Sequence, residues 1–200
     1  MFVHGEKRTF IHIPKTGGSS IESRLLERNG LVSNGETIWS RLTELDLLFF
    51  LGEKYDTMKY APHAKAYELK KLYPYMYEEY ESSTIVRNPY DRFCSMYFWY
   101  TKTRDNPNPM DIHKELIDNE ELMVELQYDY VFDFSGNCIV DKIFRLENIN
   151  EAFEYFNIMP RHAKNMNRQK TSDFYDTWPK MKEFIRDYYA KDFEVFGYEK

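Results

Sequence analysis

Two hundred residues with 42% apolar content are enough for one domain with a sizeable core. Acidic side chains outnumber basic ones, 33 to 27, and the net charge of −6 argues against a general nucleic-acid binder, though a local basic pocket fits within it. The two cysteines, Cys94 and Cys138, stand far apart, which excludes a C-x-x-C pair, a metal cluster and a disulfide scaffold and fits a reducing compartment.

The elements follow in chain order. Arg8–Ile13 predicts a buried strand, which starts too early to leave room for a signal peptide. Ser20–Arg28 predicts a helix with Ile21 and Leu25 on one face and Gly30 as its stop. Trp39–Leu51 predicts a second helix closed by Gly52, and Tyr55 to Pro62 a loop. The longest apolar run, Leu47 to Leu51, is far too short to span a bilayer, so the expectation is a soluble, cytoplasmic protein with no membrane partner. Tyr67–Tyr80 is aromatic and interrupted by Pro74, and its pattern selects no element. Ser83–Val86 predicts a short strand ending at Arg87; Pro89 then suits the first turn of a helix running through Tyr100. Asn106–Pro109 reads as loop and Asp111–Leu126 as helix. Val131–Phe134 and Ile139–Phe144 are strand candidates around a Ser135-Gly136-Asn137 turn, followed by a short helix over Asn150–Phe156. Trp178–Phe196 predicts one long helix, its stripe of Trp178, Met181, Ile185, Tyr188, Asp192 and Val195 polar only at Asp192. Strands alternating with helices predict an α/β fold with a central parallel sheet flanked by helices, in a single domain over 1–200.

The chemistry concentrates at Phe10-Ile11-His12-Ile13-Pro14-Lys15-Thr16-Gly17-Gly18-Ser19-Ser20-Ile21. A strand, a glycine turn and a helix start form the geometry that cradles a phosphate-like anion, because backbone N–H groups converge there and the helix dipole favours negative charge. Gly17 and Gly18 let the backbone approach the anion, Ser19 and Ser20 can cap the helix and offer hydroxyls, and Lys15 brings a full charge. Lys15 precedes the glycines, so the nucleotide-triphosphatase pattern G-x-x-x-x-G-K-[ST] is not met. A second constellation is Arg87-Asn88-Pro89-Tyr90-Asp91-Arg92-Phe93-Cys94-Ser95-Met96-Tyr97. Arg87 ends a strand, where open α/β sheets place ligands, and Ser95 follows about two helical turns later. A guanidinium fork and a hydroxyl at that spacing suit phosphate oxygens, whereas Arg92 reads as a solvated arginine.

Together the two motifs resemble the sulfotransferases that use 3′-phosphoadenosine 5′-phosphosulfate (PAPS), in the family 2 type branch that includes carbohydrate sulfotransferases. That family follows a strand with P-K-T-G-[GS]-[ST]-[ST] for the 5′-phosphosulfate and uses R-[DN]-P-x-x-R-x-x-S-x-Y for the 3′-phosphate. Both stand here in that order. Phe144-Arg145-Leu146-Glu147-Asn148-Ile149 is similar to the family's R-x-E-N-[LI] strand end, and Asp192-Phe193-Glu194-Val195-Phe196-Gly197-Tyr198 to its closing D-x-x-x-F-G-Y.

The resemblance implies a P-loop-like sulfotransferase fold and transfer of a sulfuryl group from PAPS to a hydroxyl or amine acceptor, a carbohydrate or small molecule, leaving the product PAP. Thr16 through Ser20 would hold the 5′-phosphate, Lys15 would stabilise the leaving oxygen, and Arg87 with Ser95 would bind the 3′-phosphate that ATP lacks. No catalytic metal is expected. The family places a histidine about two dozen residues before the 3′-phosphate arginine, the position of His63, which makes it the candidate base, with Glu68 a poor second choice. His12 reads as packing or hydrogen bonding beneath the loop, and His4, His113 and His162 read as surface residues. The basic stretch Arg161–Thr171 is either a solvated loop or a lid over the nucleotide, with Asn167, Arg168 and Lys170 as contacts. Arg145 and Glu147 form an ion pair near the site or reach the acceptor. The aromatic runs Tyr73–Tyr77 and Tyr97–Tyr100 read as core before they read as sugar-stacking surfaces. An ATP-dependent small-molecule kinase and a non-catalytic nucleotide-binding module are the competing readings; acceptor identity and oligomeric state are not written in the motifs.

Overall fold

A computed structural model describes residues 2–28, 63–159 and 168–200 of the chain. The expected helix over Trp39–Leu51 and loop over Tyr55 to Pro62 lie outside them. The described residues hold a four-stranded sheet of β1 (Phe2–Val3), β2 (Arg8–Ile11), β3 (Glu81–Val86) and β4 (Lys142–Arg145), in that spatial order. β2, β3 and β4 run parallel, and β1 pairs antiparallel on the β2 edge. The sequence supplies the reason for parallel pairing: β3 is buried from Ser82 to Val86, as a strand covered on both faces must be. Its hydroxyls are satisfied inside the sheet, with Thr84 Oγ1 donating to the Ile11 carbonyl at 2.8 Å and Ser82 Oγ to Asp141 Oδ2 at 2.6 Å.

Helices α1 (Gly18–Arg28) and α7 (Ile149–Tyr155) cover the face that carries Phe10 and Ile85. Ile21 and Leu25 from α1 and Ala152 and Phe153 from α7 share one apolar core with those strand residues. Each of the larger side chains among them contributes about 1.5–3 kcal/mol on burial. Between β2 and β3 come α2 (Ala66–Leu72) and α3 (Pro74–Glu79), so Pro74 separates two helices by occupying the first position of the second. The rings of Tyr73 and Tyr80 meet Phe2 edge-on.

The chain divides into two compact units, 1–86 with 129–162 and 87–128 with 163–200. The first holds the sheet. The second is helical: α4 (Pro89–Tyr100), α5 (Pro109–Asp118), α8 (Arg168–Thr177), α9 (Pro179–Tyr188) and α10 (Ala190–Phe196). Phe93, Met96, Tyr97, Leu116, Phe174, Ile185 and Phe193 build its core. Both α4 and α5 start as the sequence dictates, with an asparagine cap followed by proline: Asn88 Oδ1 accepts the Tyr90 N–H and Asn108 Oδ1 the Met110 N–H, each at 2.9 Å.

Several expectations are corrected. The first strand stops at Ile11, and α1 begins at Gly18, so Ser19 and Ser20 lie in its first turn instead of capping it. The helix expected over Asp111–Leu126 ends at Asp118, because Glu120 takes a left-handed φ of 54° and the Glu121 N–H turns back to the Leu116 carbonyl. Val131–Phe134 is not a strand. Helix α6 (Tyr128–Val131) takes its start, and Phe132 makes one isolated bridge to Cys138 around the Ser135-Gly136-Asn137 turn. There Asp133 Oδ1 accepts the Ser135 and Asn137 N–H groups and closes the turn, beside backbone bonds from Asp133 N–H to the Asn137 carbonyl and from Ile139 N–H to the Val131 carbonyl. The long C-terminal helix breaks at Tyr189 into α9 and α10, the Tyr189 hydroxyl being drawn to the Val124 carbonyl. Among the described residues, no helix is long and apolar enough to cross a membrane.

Candidate functional site

The glycine turn leaves β2 and enters α1 within the first unit. Two of its residues lie in the left-handed region, Lys15 at φ 68° and Gly17 at φ 90°. A lysine there carries strain of about 1–2 kcal/mol, which the surrounding turn must over-determine. Thr16 is buried, and its hydroxyl donates to the Ile13 carbonyl at 2.9 Å, closing the turn. The Ser20 N–H donates to the Gly17 carbonyl at 3.0 Å, while the Ser19 and Ser20 side chains are exposed. The first turn of α1 holds no acidic residue, so its positive dipole end is not neutralised from within the helix.

The turn is packed from beneath on two sides. A Cβ at Gly17 would come within 2.6 Å of Leu146 Cδ1, with Ile149 behind it, and a Cβ at Gly18 would overlap the His12 imidazole. Gly17 is therefore required by its φ and by Leu146, and Gly18 by His12. Leu146 and Ile149 belong to the Phe144–Ile149 segment, so a stretch far away in sequence braces the glycine turn.

His63 sits next to this turn. Its Nδ1 lies 2.9 Å from the His12 carbonyl, and the two imidazoles meet edge to face at 4.4 Å. A carbonyl only accepts, so Nδ1 carries the proton and Nε2 is the basic nitrogen of the neutral ring. His12 is buried, as expected of a residue beneath the loop, and its Nδ1 lies 2.8 Å from Oε2 of a fully buried Glu22 on α1. Glu68, the alternative base, accepts the Lys65 N–H at 2.7 Å and so helps to start α2.

In the second unit, Arg87 precedes the cap of α4 and Ser95 lies half-buried on that helix. The Arg87 backbone is gripped by the Gln127 amide: the Arg87 N–H donates to Gln127 Oε1 at 2.8 Å, and Gln127 Nε2 donates to the Arg87 carbonyl at 2.9 Å. Gln127 is in turn fixed by buried Asp192, which accepts its N–H at 3.0 Å and the Tyr128 N–H at 2.9 Å. Burial pushes the Asp192 carboxyl above its ordinary range, against the pull of Arg92 and of these hydrogen bonds. Arg92 is not the solvated arginine expected. It is buried, and its Nη1 donates to the Glu125 carbonyl at 2.7 Å. His113, expected at the surface, is likewise buried, ringed by Phe93, Phe184, Tyr188 and Tyr189.

Of the basic stretch, Asn167 and His162 lie outside the described residues, and Arg168 and Lys170 fall in the first turn of α8. A cleft of about 330 Å³ runs past Asn88, Tyr90 and Asp91 on one side and Thr171 and Tyr175 on the other. Arg145 is exposed at the end of β4 and Glu147 half-buried beyond it. The aromatic runs divide: Tyr77 and Tyr97 are core, while Tyr75 and Trp99 are 84% and 58% exposed.

Sequence reasoning missed Glu22, Gln127 and the part played by Leu146. Glu22 carried a signal, since it lies between Ile21 and Leu25 on a helix whose buried face they define. Gln127 carried none. Comparison with protein-family models, with curated proteins and with solved structures yields no match to this chain.

Proposed function

We propose that this chain is a PAPS-dependent sulfotransferase with a P-loop-like sulfotransferase fold. The observation that carries the reading is where the two motifs leave the sheet. β2 and β3 are parallel neighbours, with Ile11 opposite Thr84, so their C-terminal ends share one edge. The glycine turn follows β2, and Arg87 is the residue after Val86. Two features of the turn suit an anion: the α1 N-terminus offers N–H groups with no acidic residue in its first turn, and Lys15 stands in the turn before it.

PAPS supplies the sulfuryl group, whose bond to the 5′-phosphate oxygen breaks as a bond to the acceptor oxygen forms. The turn from Thr16 to Ser20 holds the 5′-phosphate, and the Lys15 ammonium stabilises the negative charge left on its oxygen. His63 takes the acceptor proton at Nε2. Arg87 and Ser95 bind the 3′-phosphate and thereby separate PAPS from ATP. Arg168 and Lys170 add positive charge at that end, and Asn167 a polar contact. The acceptor is a carbohydrate or another small hydroxyl or amine compound.

Titration calorimetry with PAP and with ATP tests the reading. PAP is expected to bind at micromolar strength or better, with ATP about a hundredfold weaker for want of the 3′-phosphate contacts. Equal affinity would point to a kinase, and tight PAP binding with no acceptor ever sulfated to a non-catalytic module. No binding of either nucleotide would overturn the proposal.

A further inference from the structure

Glu22 is a carboxylate with no exposed surface, on a helix face otherwise apolar. Such a group costs several kcal/mol unless it is paired. Its neighbour is the His12 imidazole, 2.8 Å away at Nδ1, in a close contact not aligned as a straight hydrogen bond. Among the described residues neither Glu22 oxygen has a hydrogen-bond partner. The pairing therefore rests on the position of one ring, and that ring does three things. Its edge fills the space under Gly18, it meets the His63 ring in an edge-to-face contact, and its own residue's carbonyl receives the His63 Nδ1–H.

We infer that Glu22 and His12 are positioning residues that hold His63 as the Nδ1–H tautomer, with Nε2 as its proton-accepting nitrogen. A buried carboxylate that orients an imidazole, which orients a second group, is the general logic of an activated base. Here the chain runs Glu22 to His12 to His63, and only its last member is offered to substrate. His12 cannot itself be the base, because it is 3% exposed and lies beneath the Gly18 backbone. The inference rests on the reading of His63 as the base.

The test is ring-nitrogen NMR on the ¹⁵N-labelled full chain, with His63 assigned through His63→Gln. Wild type should show neutral His63 protonated at Nδ1, the tautomer that free histidine disfavours. Glu22→Ala should show a mixture of tautomers, with kcat for sulfation falling about a hundredfold while PAP affinity holds. Glu22→Gln, which keeps an oxygen facing His12, should recover the single tautomer and most of kcat. A wild-type His63 protonated at Nε2 overturns the inference even if Glu22→Ala does not fold. So does a folded Glu22→Ala with tautomer and kcat unchanged. The NMR readout needs no nucleotide, so a failure to bind PAP would sink the donor assignment and leave this measurement standing.

Discussion

At the scale of single residues, Lys15 holds two properties in tension. The proposed chemistry uses its charge at the turn, and its φ of 68° is one that a side chain with a Cβ resists. Lys15→Gly separates the two. It is expected to stabilise the fold by about 1 kcal/mol, seen as a higher Tm, and to lower sulfation by about 100- to 1000-fold. Unchanged turnover would remove Lys15 from the chemistry. Gly17 is the converse case. Gly17→Ala meets both a φ of 90° and Leu146 at 2.6 Å, so a loss of about 1–3 kcal/mol is expected in urea unfolding, together with weaker PAP binding. The glycine requirement was legible in the sequence. The reason Gly18 must be glycine was not, because it depends on the ring of His12, just past the end of β2.

Among the elements, the link from α10 through the segment before α6 to the start of α4 is the clearest. Asp192 was visible beforehand as the one polar residue of an apolar stripe. The structure accounts for it: the carboxylate takes the N–H groups of Gln127 and Tyr128, and Gln127 then pairs with both backbone groups of Arg87 as a strand neighbour would. Gln127→Ala should leave the Arg87 N–H and carbonyl unmatched, costing about 1–3 kcal/mol of stability. PAP affinity should fall about tenfold with ATP affinity little changed, because the grip acts on the residue assigned to the 3′-phosphate. An equal loss for both nucleotides would show that Gln127 serves only the fold.

For the whole molecule, the buried titratable groups set the response to acid. Burial among aromatic rings, with Nε2 lacking a hydrogen-bond partner among the described residues, pushes His113 down to about 4 from its usual 6.5. The unfolded chain therefore binds this proton first, and stability is full above pH 6.5 and falls as pH drops toward 4. The loss is about 2 kcal/mol once partial solvent screening is allowed for. Asp192 works the other way. Its raised value means the folded state takes up its proton first, so the cost of burying its charge disappears in acid. Chemical denaturation of His113→Phe between pH 7 and 4 should show a flatter profile than wild type, and an unchanged slope would place the acid sensitivity elsewhere.

What the chain determined by itself is what neighbours in sequence can determine: an α/β class with a mostly parallel sheet, the asparagine–proline starts of two helices, and a strand–glycine–helix turn with a lysine inside it. These follow from φ preferences, capping bonds and the spacing of apolar side chains, all acting over a few residues. The tertiary structure decided where helices stop, which polar residues are buried and what holds the candidate site residues. The break at Tyr189, the burial of Arg92 and His113, and the pairings of Glu22 with His12 and of Gln127 with Arg87 each depend on partners that are not neighbours in sequence, such as Val124 for Tyr189 and Glu125 for Arg92. A buried polar group is stable only where its partner stands, and which residue that is becomes settled only when the core closes around both.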